Sequence, residues 1–358
     1  MELDNSFWKD KKVLVTGHTG FKGSWASMWL KKMGAQVVGV SLDPPTNPSL
    51  YEEAQVAEGM TSIRCDICDL DKIKKIFQES KPKIVIHMAA QSLVQESYID
   101  PVNTYNTNVM GTLNILEAIR GIESVRSAIM VTTDKCYENR EWHWGYRESD
   151  RMGGYDPYSS SKGCAELLIS SYRNSFFNIA DYENHRTAIA SVRAGNVIGG
   201  GDWAKNRLIP DILKSINSKN DIEIRFPHSI RPWQHVLEPV HGYLLLAERL
   251  YTEGPKYAEA WNFGPNDEDA KPVSEIVDMM LEYSSPGVAW FTTNKEQKHE
   301  AGYLKLDCSK VKNVLGWKPR WNISETIKAI IEWNEEFIKG KPVNEICDMQ
   351  ISNYLRSK

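Results

Sequence analysis

The sequence predicts an α/β protein in which a doubly wound parallel sheet carries a smaller α/β lobe towards the C-terminus. Three observations favour this class. A short β-branched strand leads into a glycine turn and a helix, strands and helices alternate over about the first 195 residues, and the strand segments are almost entirely apolar. Buried parallel strands with right-handed helical crossovers give this pattern.

The first unit is a strand, a glycine turn, a helix and a second strand. Residues 11–16 form a β-branched run that stops at Gly17, as expected for a buried strand. Residues 24–33 have an apolar helical face, and Gly34 ends that helix. Residues 36–42 then return as the second strand. This unit is the beginning of a parallel sheet.

The same alternation continues and then loosens near residue 195, where glycine, proline and tryptophan become frequent. We therefore expect a first domain over residues 1–190, rejoined by about 237–264, and a second lobe over 191–358. The remaining predicted strands are 61–65, 83–88, 128–132 and 188–193, and the remaining predicted helices are 70–80, 105–121 and 157–175.

Composition excludes several classes of protein. The 358 residues include 43 basic and 47 acidic side chains, for a net charge of -4, so we expect no nucleic-acid surface. No run of about 20 apolar residues predicts a membrane helix, and residues 1–12 lack the apolar stretch of a secretory signal. Six cysteines are too few for a disulfide scaffold. We expect a cytoplasmic protein without membrane contact.

The glycine turn predicts a dinucleotide site. Gly17, Gly20 and Gly23 follow a strand and open a helix, where glycine allows a tight turn and lets a phosphate approach the helix N-terminus. The spacing differs from G-x-G-x-x-G, but the strand–turn–helix context favours a Rossmann-type domain. Asp43 follows the second strand and can accept hydrogen bonds from ribose hydroxyls. With no arginine between residues 38 and 50, it favours NAD over NADP.

Tyr158 and Lys162 are the first candidate catalytic pair. They are spaced i, i+4 within Y-S-S-S-K, so they share one face of a helix. A free tyrosine has a pKa of about 10, and a nearby ammonium and an oxidised nicotinamide would lower it. An exposed structural pair would have the same spacing. The position after a glycine turn favours a catalytic pair.

Thr133, Asp134 and Lys135 follow a buried strand. The carboxyl ends of strands in a doubly wound sheet face the ligand crevice. A carboxylic acid beside an ammonium gives an acid and a base, or an acid and an electrostatic stabiliser. The alternative is an ordinary capped loop start.

These motifs resemble a known superfamily. T-G-H-T-G-F-K-G, M-A-A-Q-S and Y-S-S-S-K are similar to the extended short-chain dehydrogenase/reductases. R-A-G-N-V-I-G-G-G-D-W, R-L-I-P-D and L-G-W-K-P narrow the resemblance to nucleotide-sugar 4,6-dehydratases, over about residues 8–335. The dTDP-glucose branch has glutamate where this chain has Lys135. That difference, with I-R-P-W-Q-H-V and H-E-A-G-Y-L-K-L-D-C, most resembles the CDP-glucose branch.

The resemblance implies a dehydration with no net redox change, using tightly bound NAD, in deoxysugar (O-antigen type) biosynthesis. Tyr158 would take the proton of the sugar 4-hydroxyl, and Thr133 would bond to that oxygen. Asp134 would protonate the leaving hydroxyl of carbon 6. Lys135 would act as the base at carbon 5 or stabilise an enolate, and both roles stay open.

The resemblance also implies binding residues and a homodimer or homotetramer, paired through the helices at 105–121 and 157–175. Trp142 and Trp144 could line the sugar pocket. No metal is expected, since the histidines have no metal-ligand spacing. The expected NAD contacts are Gly17, Thr19, Gly20, Phe21, Gly23, Asp43, Asp66, Ile67, Ala89, Ala90, Gln91, Asn108, Tyr158 and Lys162. The expected nucleotide-sugar contacts are Asn196, Arg207, Leu208, Arg231, Glu300 and Tyr303.

Three alternatives remain open. Another nucleotide-sugar 4,6-dehydratase would differ only in the base that it accepts. A 4-epimerase or reductase would share the glycine turn, Tyr158 and Lys162 but would not need Asp134 and Lys135. A non-catalytic dinucleotide-binding protein would not need the set of Thr133, Tyr158 and Lys162.

Overall fold

A seven-stranded parallel sheet forms the centre of the protein in a computed structural model that describes residues 2–284, 287–292 and 302–357. The strand order is β3-β2-β1-β4-β5-β6-β7, and all neighbouring strands are parallel. The predicted doubly wound class is confirmed, with a reversal of strand order between β1 and β4. The strands are β1 (Lys12–Thr16), β2 (Gln36–Ser41), β3 (Thr61–Arg64), β4 (Ile84–His87), β5 (Ser127–Val131), β6 (Ala188–Ala194) and β7 (Ala260–Phe263).

Nine longer helices cover the sheet and build the second lobe within the described part of the chain. Along β1, Leu14 faces the layer formed by α2, α3 and α4, whereas Val13 and Val15 face α1 and α6. This alternation buries both faces of the sheet, as a parallel sheet requires. The helices are α1 (Phe21–Lys32), α2 (Leu70–Ser80), α3 (Gly111–Arg120), α4 (Pro157–Ser175), α5 (Leu208–Ser218), α6 (Leu237–Glu253), α7 (Val273–Ser284), α8 (Ile323–Ile338) and α9 (Val343–Arg356).

Shorter elements connect these helices and strands. Parallel pairs join Val197–Ile198 to Gln234–His235 and Ile222–Ile224 to Trp290–Thr292, and an antiparallel pair joins Ile230–Pro232 to Ala270–Pro272. Short α-helical segments are Asn5–Trp8, Leu50–Glu53, Val94–Ile99, Pro101–Tyr105 and Tyr182–His185, the 3-10 turns are Asp134–Cys136, Ile179–Asp181, Gly254–Tyr257 and Asp267–Asp269, and the π turns are Asn106–Met110 and Val311–Leu315.

The helix expected over residues 105–121 is divided. A π turn, Asn106–Met110, separates Pro101–Tyr105 from α3. Inside this turn the Asn108 side chain accepts a hydrogen bond from the Gln91 backbone amide at 2.9 Å and donates to the Gln91 carbonyl at 3.0 Å. Such π turns often mark functional sites. Here the turn ties the helix to the loop after β4.

The second lobe has its own apolar core, formed by α5, α7 and α8 with the short strands at Ile222–Ile224. Between parts of that lobe in the sequence, α6 packs against the main sheet, and β7 is the edge strand of that sheet, paired with β6. Helix α9 packs on α1. Among the helices described, none combines the length and apolar character that a bilayer-spanning helix requires.

A buried carboxylate fastens the C-terminal part of the chain to α6. Glu238 accepts hydrogen bonds from the Tyr354 hydroxyl at 2.6 Å and from the backbone amides of Arg320 and Trp321 at 2.9 and 2.7 Å. Burial raises the pKa of Glu238 to about 7, against the lowering effect of these donors. The carboxyl group therefore titrates near neutral pH.

Candidate active site

A cleft of about 1150 Å³ opens at the carboxyl ends of the sheet strands and is closed on the far side by the second lobe. It lies at the reversal of strand order between β1 and β4, where doubly wound sheets bind ligands. Most of the residues predicted for the site line this cleft. They are Gly17, Thr19, Gly20, Phe21, Gly23, Asp43, Asp66, Ile67, Ala89, Ala90, Gln91, Thr133, Asp134, Lys135, Tyr158, Lys162, Asn196, Arg207, Leu208 and Arg231.

The backbone of the glycine turn lies so close to its neighbours that Gly17 and Gly23 have no room for a side chain. Gly17 has φ +79°, and a Cβ there would lie 2.7 Å from the Ala89 nitrogen. A Cβ on Gly23 would lie 2.1 Å from the Gly17 carbonyl oxygen, so this position also needs glycine. Gly20 caps α1, which begins at Phe21, earlier than predicted. The turn thus presents a helix N-terminus to the cleft, a favourable place for a phosphate.

At the end of β2, the Asp43 side chain is 89% exposed and forms an ion pair with Arg64, with 2.8 Å between Oδ1 and Nε. The absence of arginine near Asp43 along the chain does not exclude an arginine that is close in space. The register of β2 and β3 pairs Ser41 with Arg64 and so brings the guanidinium to this position. The pairing of adjacent parallel strands is the signal that could have found it.

Asn108 does not line the cleft. It is almost fully buried behind the Gln91 loop, and its side-chain amide also donates to Ser161 Oγ at 2.9 Å. Ser161 precedes Lys162 on α4. Asn108 therefore links the loop after β4 to the helix that carries the Tyr158 and Lys162 pair.

Tyr158 and Lys162 lie in the first turns of α4, whose N-terminus is capped by Asp156 through the Ser159 backbone amide at 2.9 Å. Lys162 Nζ donates to the Val131 carbonyl oxygen at 3.2 Å. Burial lowers the pKa of Lys162 to about 8 and raises that of Tyr158 to about 12. At neutral pH the two are a phenol and an ammonium. A cation beside the phenol would favour the phenolate.

Thr133 and Asp134 are the other two residues of the candidate catalytic set, which also holds Tyr158 and Lys162. Thr133 Oγ1 caps a 3-10 turn and donates to Asp134 Oδ1 at 3.0 Å. Asp134 is 2% exposed, and its Oδ2 atom has no hydrogen-bond partner among the residues described. Burial raises the pKa of Asp134, although Lys135 and Thr133 act to lower it. Such a carboxyl group is suited to donate a proton.

Lys22 is a cleft residue that the sequence prediction missed. It is part of the glycine motif and lies in the first turn of α1, with its Nζ 5.8 Å from the centre of the Tyr243 ring. Burial, together with the charges of Arg207 and Lys162, lowers the pKa of Lys22 to about 8. Its position in the first turn of a helix beside a phosphate site was the available signal.

The second lobe contributes cations at the other end of the cleft. Arg207 donates from Nη1 to Asp202 Oδ2 at 2.9 Å and from Nη2 to Ser92 Oγ at 3.2 Å. Arg231 is buried, with Nη1 donating to its neighbouring carbonyl at 3.0 Å. Arg225 also lines the cleft and was not predicted. Paired guanidinium groups of this kind suit a diphosphate.

Three more predicted positions, Tyr303, Trp142 and Trp144, are not part of the cleft lining. Tyr303 is outside the cleft lining, and its hydroxyl donates to the His143 carbonyl at 3.3 Å. Trp142 stacks on Tyr146, with 5.6 Å between ring centres, and contacts Trp144 away from the cleft lining. Glu300 lies outside the described residues. The substrate roles of Tyr303 and Glu300 stay predictions.

Similar proteins match this chain over most of its length. The family model described as GDP-mannose 4,6 dehydratase matches residues 14–330. A CDP-glucose 4,6-dehydratase of Salmonella typhimurium is 55% identical over 99% of this chain and 98% of that protein. The human dTDP-D-glucose 4,6-dehydratase is 25% identical, with 94% of each chain covered.

Solved structures agree in fold. A dTDP-glucose 4,6-dehydratase from Bacillus anthracis in complex with NAD has a TM-score of 0.75 at 18% identity, covering 92% of this chain and 98% of that one. A UDP-glucose 4-epimerase from Stenotrophomonas maltophila with bound NAD has a TM-score of 0.79 at 20% identity, covering 92% and 99%. From these matches and the geometry of the cleft, the chain belongs to the GDP-mannose 4,6 dehydratase family of nucleotide-sugar enzymes.

Proposed function

We propose that this protein dehydrates CDP-D-glucose to CDP-4-keto-6-deoxy-D-glucose with tightly bound NAD. The observation that carries the proposal is the presence of Thr133, Asp134, Tyr158 and Lys162 on the wall of one cleft. An oxidation pair and an elimination acid on the same wall suit a dehydratase better than an epimerase. The end-to-end identity of 55% to a CDP-glucose 4,6-dehydratase supports the choice of substrate.

The residues present fit NAD. The close packing at Gly17 and Gly23 leaves a cradle at the N-terminus of α1 that a side chain would fill. Asp43 follows β2, where an acidic side chain can accept hydrogen bonds from the hydroxyls of the adenosine ribose. Lys162 would hold the nicotinamide ribose. When bound, NAD would supply a reversible hydride acceptor for carbon 4 of the sugar.

The chain's own side chains would move the protons. Tyr158, as the phenolate that the Lys162 ammonium and the oxidised nicotinamide would favour, would accept the proton of the 4-hydroxyl. Thr133 would donate a hydrogen bond to that oxygen. The resulting 4-keto group acidifies the proton on carbon 5. Asp134, whose pKa is raised by burial, would then protonate the 6-hydroxyl as it leaves. Lys135 would take the carbon 5 proton or stabilise the enolate.

We further propose a division of labour between the two parts of the chain. Residues 1–190, rejoined by about 237–264, hold the cofactor and the reacting groups, and most of 191–358 holds the nucleotide sugar. Asn196, Arg207 and Arg231 would meet the diphosphate, because they bring amide and guanidinium donors to the lobe side of the cleft.

A homodimer through α3, α4 and the short helices before them is also proposed. Leu167 on α4 is 62% exposed, and large apolar side chains on the neighbouring segments are exposed as well. Apolar surface of this kind is typical of an interface. These side chains are Ile99, Val102, Tyr105 and Met110. Sedimentation of Leu167→Glu against the unsubstituted protein tests this surface, and an unchanged dimer would exclude α4 from it.

A panel of CDP-, UDP- and dTDP-glucose with GDP-mannose tests the proposed substrate. We expect a 4-keto-6-deoxy product, detected by its absorbance in alkali, at the highest kcat/KM with CDP-glucose. Preference for another base would reject the substrate but keep the reaction. Formation of a 4-epimer without keto product would reject the dehydratase itself.

Lys135→Ala separates elimination from oxidation. We expect hydride transfer to NAD to survive in this variant while 4-keto-6-deoxy product falls at least about 100-fold. A single turnover followed by the absorbance of reduced nicotinamide measures the first step. If that step is lost while substrate still binds, Lys135 belongs to the oxidation.

A further inference from the structure

A buried ion pair lies directly behind the catalytic set and is not explained by the reaction itself. Glu166 follows Lys162 by one helical turn on α4 and is almost fully buried. Arg193 on β6 donates to it from Nε at 2.9 Å and from Nη2 at 2.8 Å. Two-point pairing of this kind fixes both side chains.

Glu166 joins three elements of the active site. Besides the guanidinium, it accepts hydrogen bonds from Thr132 Oγ1 at 2.5 Å and from Ser191 Oγ at 2.8 Å. Thr132 immediately precedes Thr133 at the end of β5. The carboxylate therefore connects the helix that carries Lys162 to the strand end that carries Thr133 and Asp134.

Arg193 extends the network to the wall behind the cleft. Its Nη1 donates to the Tyr137 hydroxyl at 2.6 Å and to the Glu148 carbonyl at 3.1 Å, and Tyr137 donates to Asn262 Oδ1 at 2.7 Å. Both ends of the ion pair are thus saturated with hydrogen bonds, which a buried pair needs to offset its desolvation. Burial opposes ionisation of Glu166, but Arg193 outweighs it and holds the pKa of Glu166 below its usual value.

Of four titratable groups around Lys162, one is an anion, one is a cation and two are neutral. Glu166 is the carboxylate that acts on its amine, and Cys136 from the 3-10 turn is a neutral thiol because burial raises its pKa well above the usual value. His87 on β4 is neutral, since burial lowers its pKa to about 3, and Lys22 on α1 is a second cation. Glu166 is therefore the anion that opposes the burial of Lys162.

We propose that Glu166, fixed by Arg193, is a positioning residue for the oxidation step: it holds the Thr132–Asp134 strand end against the helix that carries Lys162 and supplies the negative charge that keeps Lys162 an ammonium. The role rests on the proposed function, because it serves the Tyr158 and Lys162 pair. Glu166 does not line the cleft and would not touch substrate.

The test is Glu166→Gln, which keeps the shape and removes the charge. Loss of an opposite charge one helical turn away should lower the pKa of Lys162 by about one pH unit. The same shift should appear in the basic limb of the kcat/KM profile, with its midpoint moving towards acid by about one pH unit. Glu166→Asp, which keeps the charge, should restore that limb even if kcat stays reduced.

A second measurement and a second variant keep the test decisive. NMR titration of isotopically labelled lysines, with Lys162 assigned by Lys162→Arg, reads its pKa without turnover. If Glu166→Gln leaves Arg193 unpaired and the protein unfolded, the double substitution Glu166→Gln/Arg193→Met removes both charges together. It should move the pKa of Lys162 in the same direction but by less, because a buried cation is lost with the anion.

The matched control is Glu117→Gln. Glu117 also pairs with an arginine, Arg120, at 2.7 Å and accepts a hydrogen bond from Tyr172 on the same helix α4 at 2.7 Å, but Tyr172 lies about 15 Å along the helix from Lys162. Glu117→Gln should therefore leave the basic limb of the kcat/KM profile unchanged. If the pKa of Lys162 is unchanged in folded Glu166 variants, the positioning role is overturned. If the unsubstituted protein dehydrates no nucleotide sugar, the proposed function is rejected instead.

Discussion

A methyl group at Gly195 would test how closely the Asp134 carboxyl group must be held. A Cβ at this position would lie 2.1 Å from Asp134 Oδ2, 2.6 Å from its Cγ and 3.0 Å from Pro232 Cγ. Asp134 is only 2% exposed where it meets the cleft, so its carboxyl group is closely surrounded. Because ordinary contacts need about 3.5 Å, Gly195→Ala forces the carboxyl group to move by about 1 Å or more.

A displacement of about 1 Å can cost about 100-fold in rate, or about 2.7 kcal/mol of transition-state stabilisation. We therefore expect kcat for 4-keto-6-deoxy product to fall about 100-fold in Gly195→Ala with little change in KM. If Asp134 serves elimination as proposed, reduced nicotinamide should accumulate during a single turnover. Stopped-flow absorbance and product analysis in alkali measure the two steps.

Gly121→Ala is the matched control, since a Cβ there meets its nearest atom at 3.4 Å and the position lies at the exposed end of α3. It should retain full activity. If Gly195→Ala folds and forms product at the unsubstituted rate, the tight packing of Asp134 is not required for elimination, and the reasoning fails.

Three further predictions concern the cofactor, the stability and the substrate. Asp43→Ser frees Arg64 from its ion pair and should raise affinity for NADP relative to NAD at least about tenfold by calorimetry; an unchanged ratio would contradict this. The pKa of Glu238 is raised to about 7 by burial, so its stabilising contribution is complete below about pH 4.5 and is lost as pH rises through 7. Urea unfolding should show Glu238→Gln gaining about 3 kcal/mol relative to the unsubstituted protein between pH 4.5 and 8, and parallel curves would refute it. Arg207→Ala should raise KM for CDP-glucose about tenfold with kcat nearly unchanged, whereas a loss confined to kcat would place Arg207 at the reacting atoms.

The sheet could be predicted from the sequence because its strands are short, apolar and separated by amphipathic helices. Helix α2 begins and ends where predicted, at Leu70 and Ser80. The division of the helix before α3 could not be foreseen, because it depends on Asn108 bonding to the loop around Gln91, a contact between elements distant in sequence. Most of the second lobe likewise depends on the pairing of very short strands, which have little periodicity.

The location of Thr133, Asp134, Tyr158 and Lys162 in one cleft could be predicted because they lie in local motifs at strand and helix ends. Residues that reach the site from neighbouring elements could not. Arg64 depends on the register of two strands, and the role argued for Glu166 depends on β6 supplying its partner. Local spacing gives the candidate reacting groups, whereas the tertiary contacts that surround them appear only in the folded chain.

Isotope tracing tests the central claim most directly. The protein should be incubated with CDP-glucose deuterated at carbon 4, and the product should be examined by NMR and mass spectrometry. Transient oxidation and return of the same hydrogen predict CDP-4-keto-6-deoxyglucose with the deuterium at carbon 6. Loss of the deuterium to solvent, its retention at carbon 4 of an epimer, or a product without the 4-keto group would contradict the proposed dehydration.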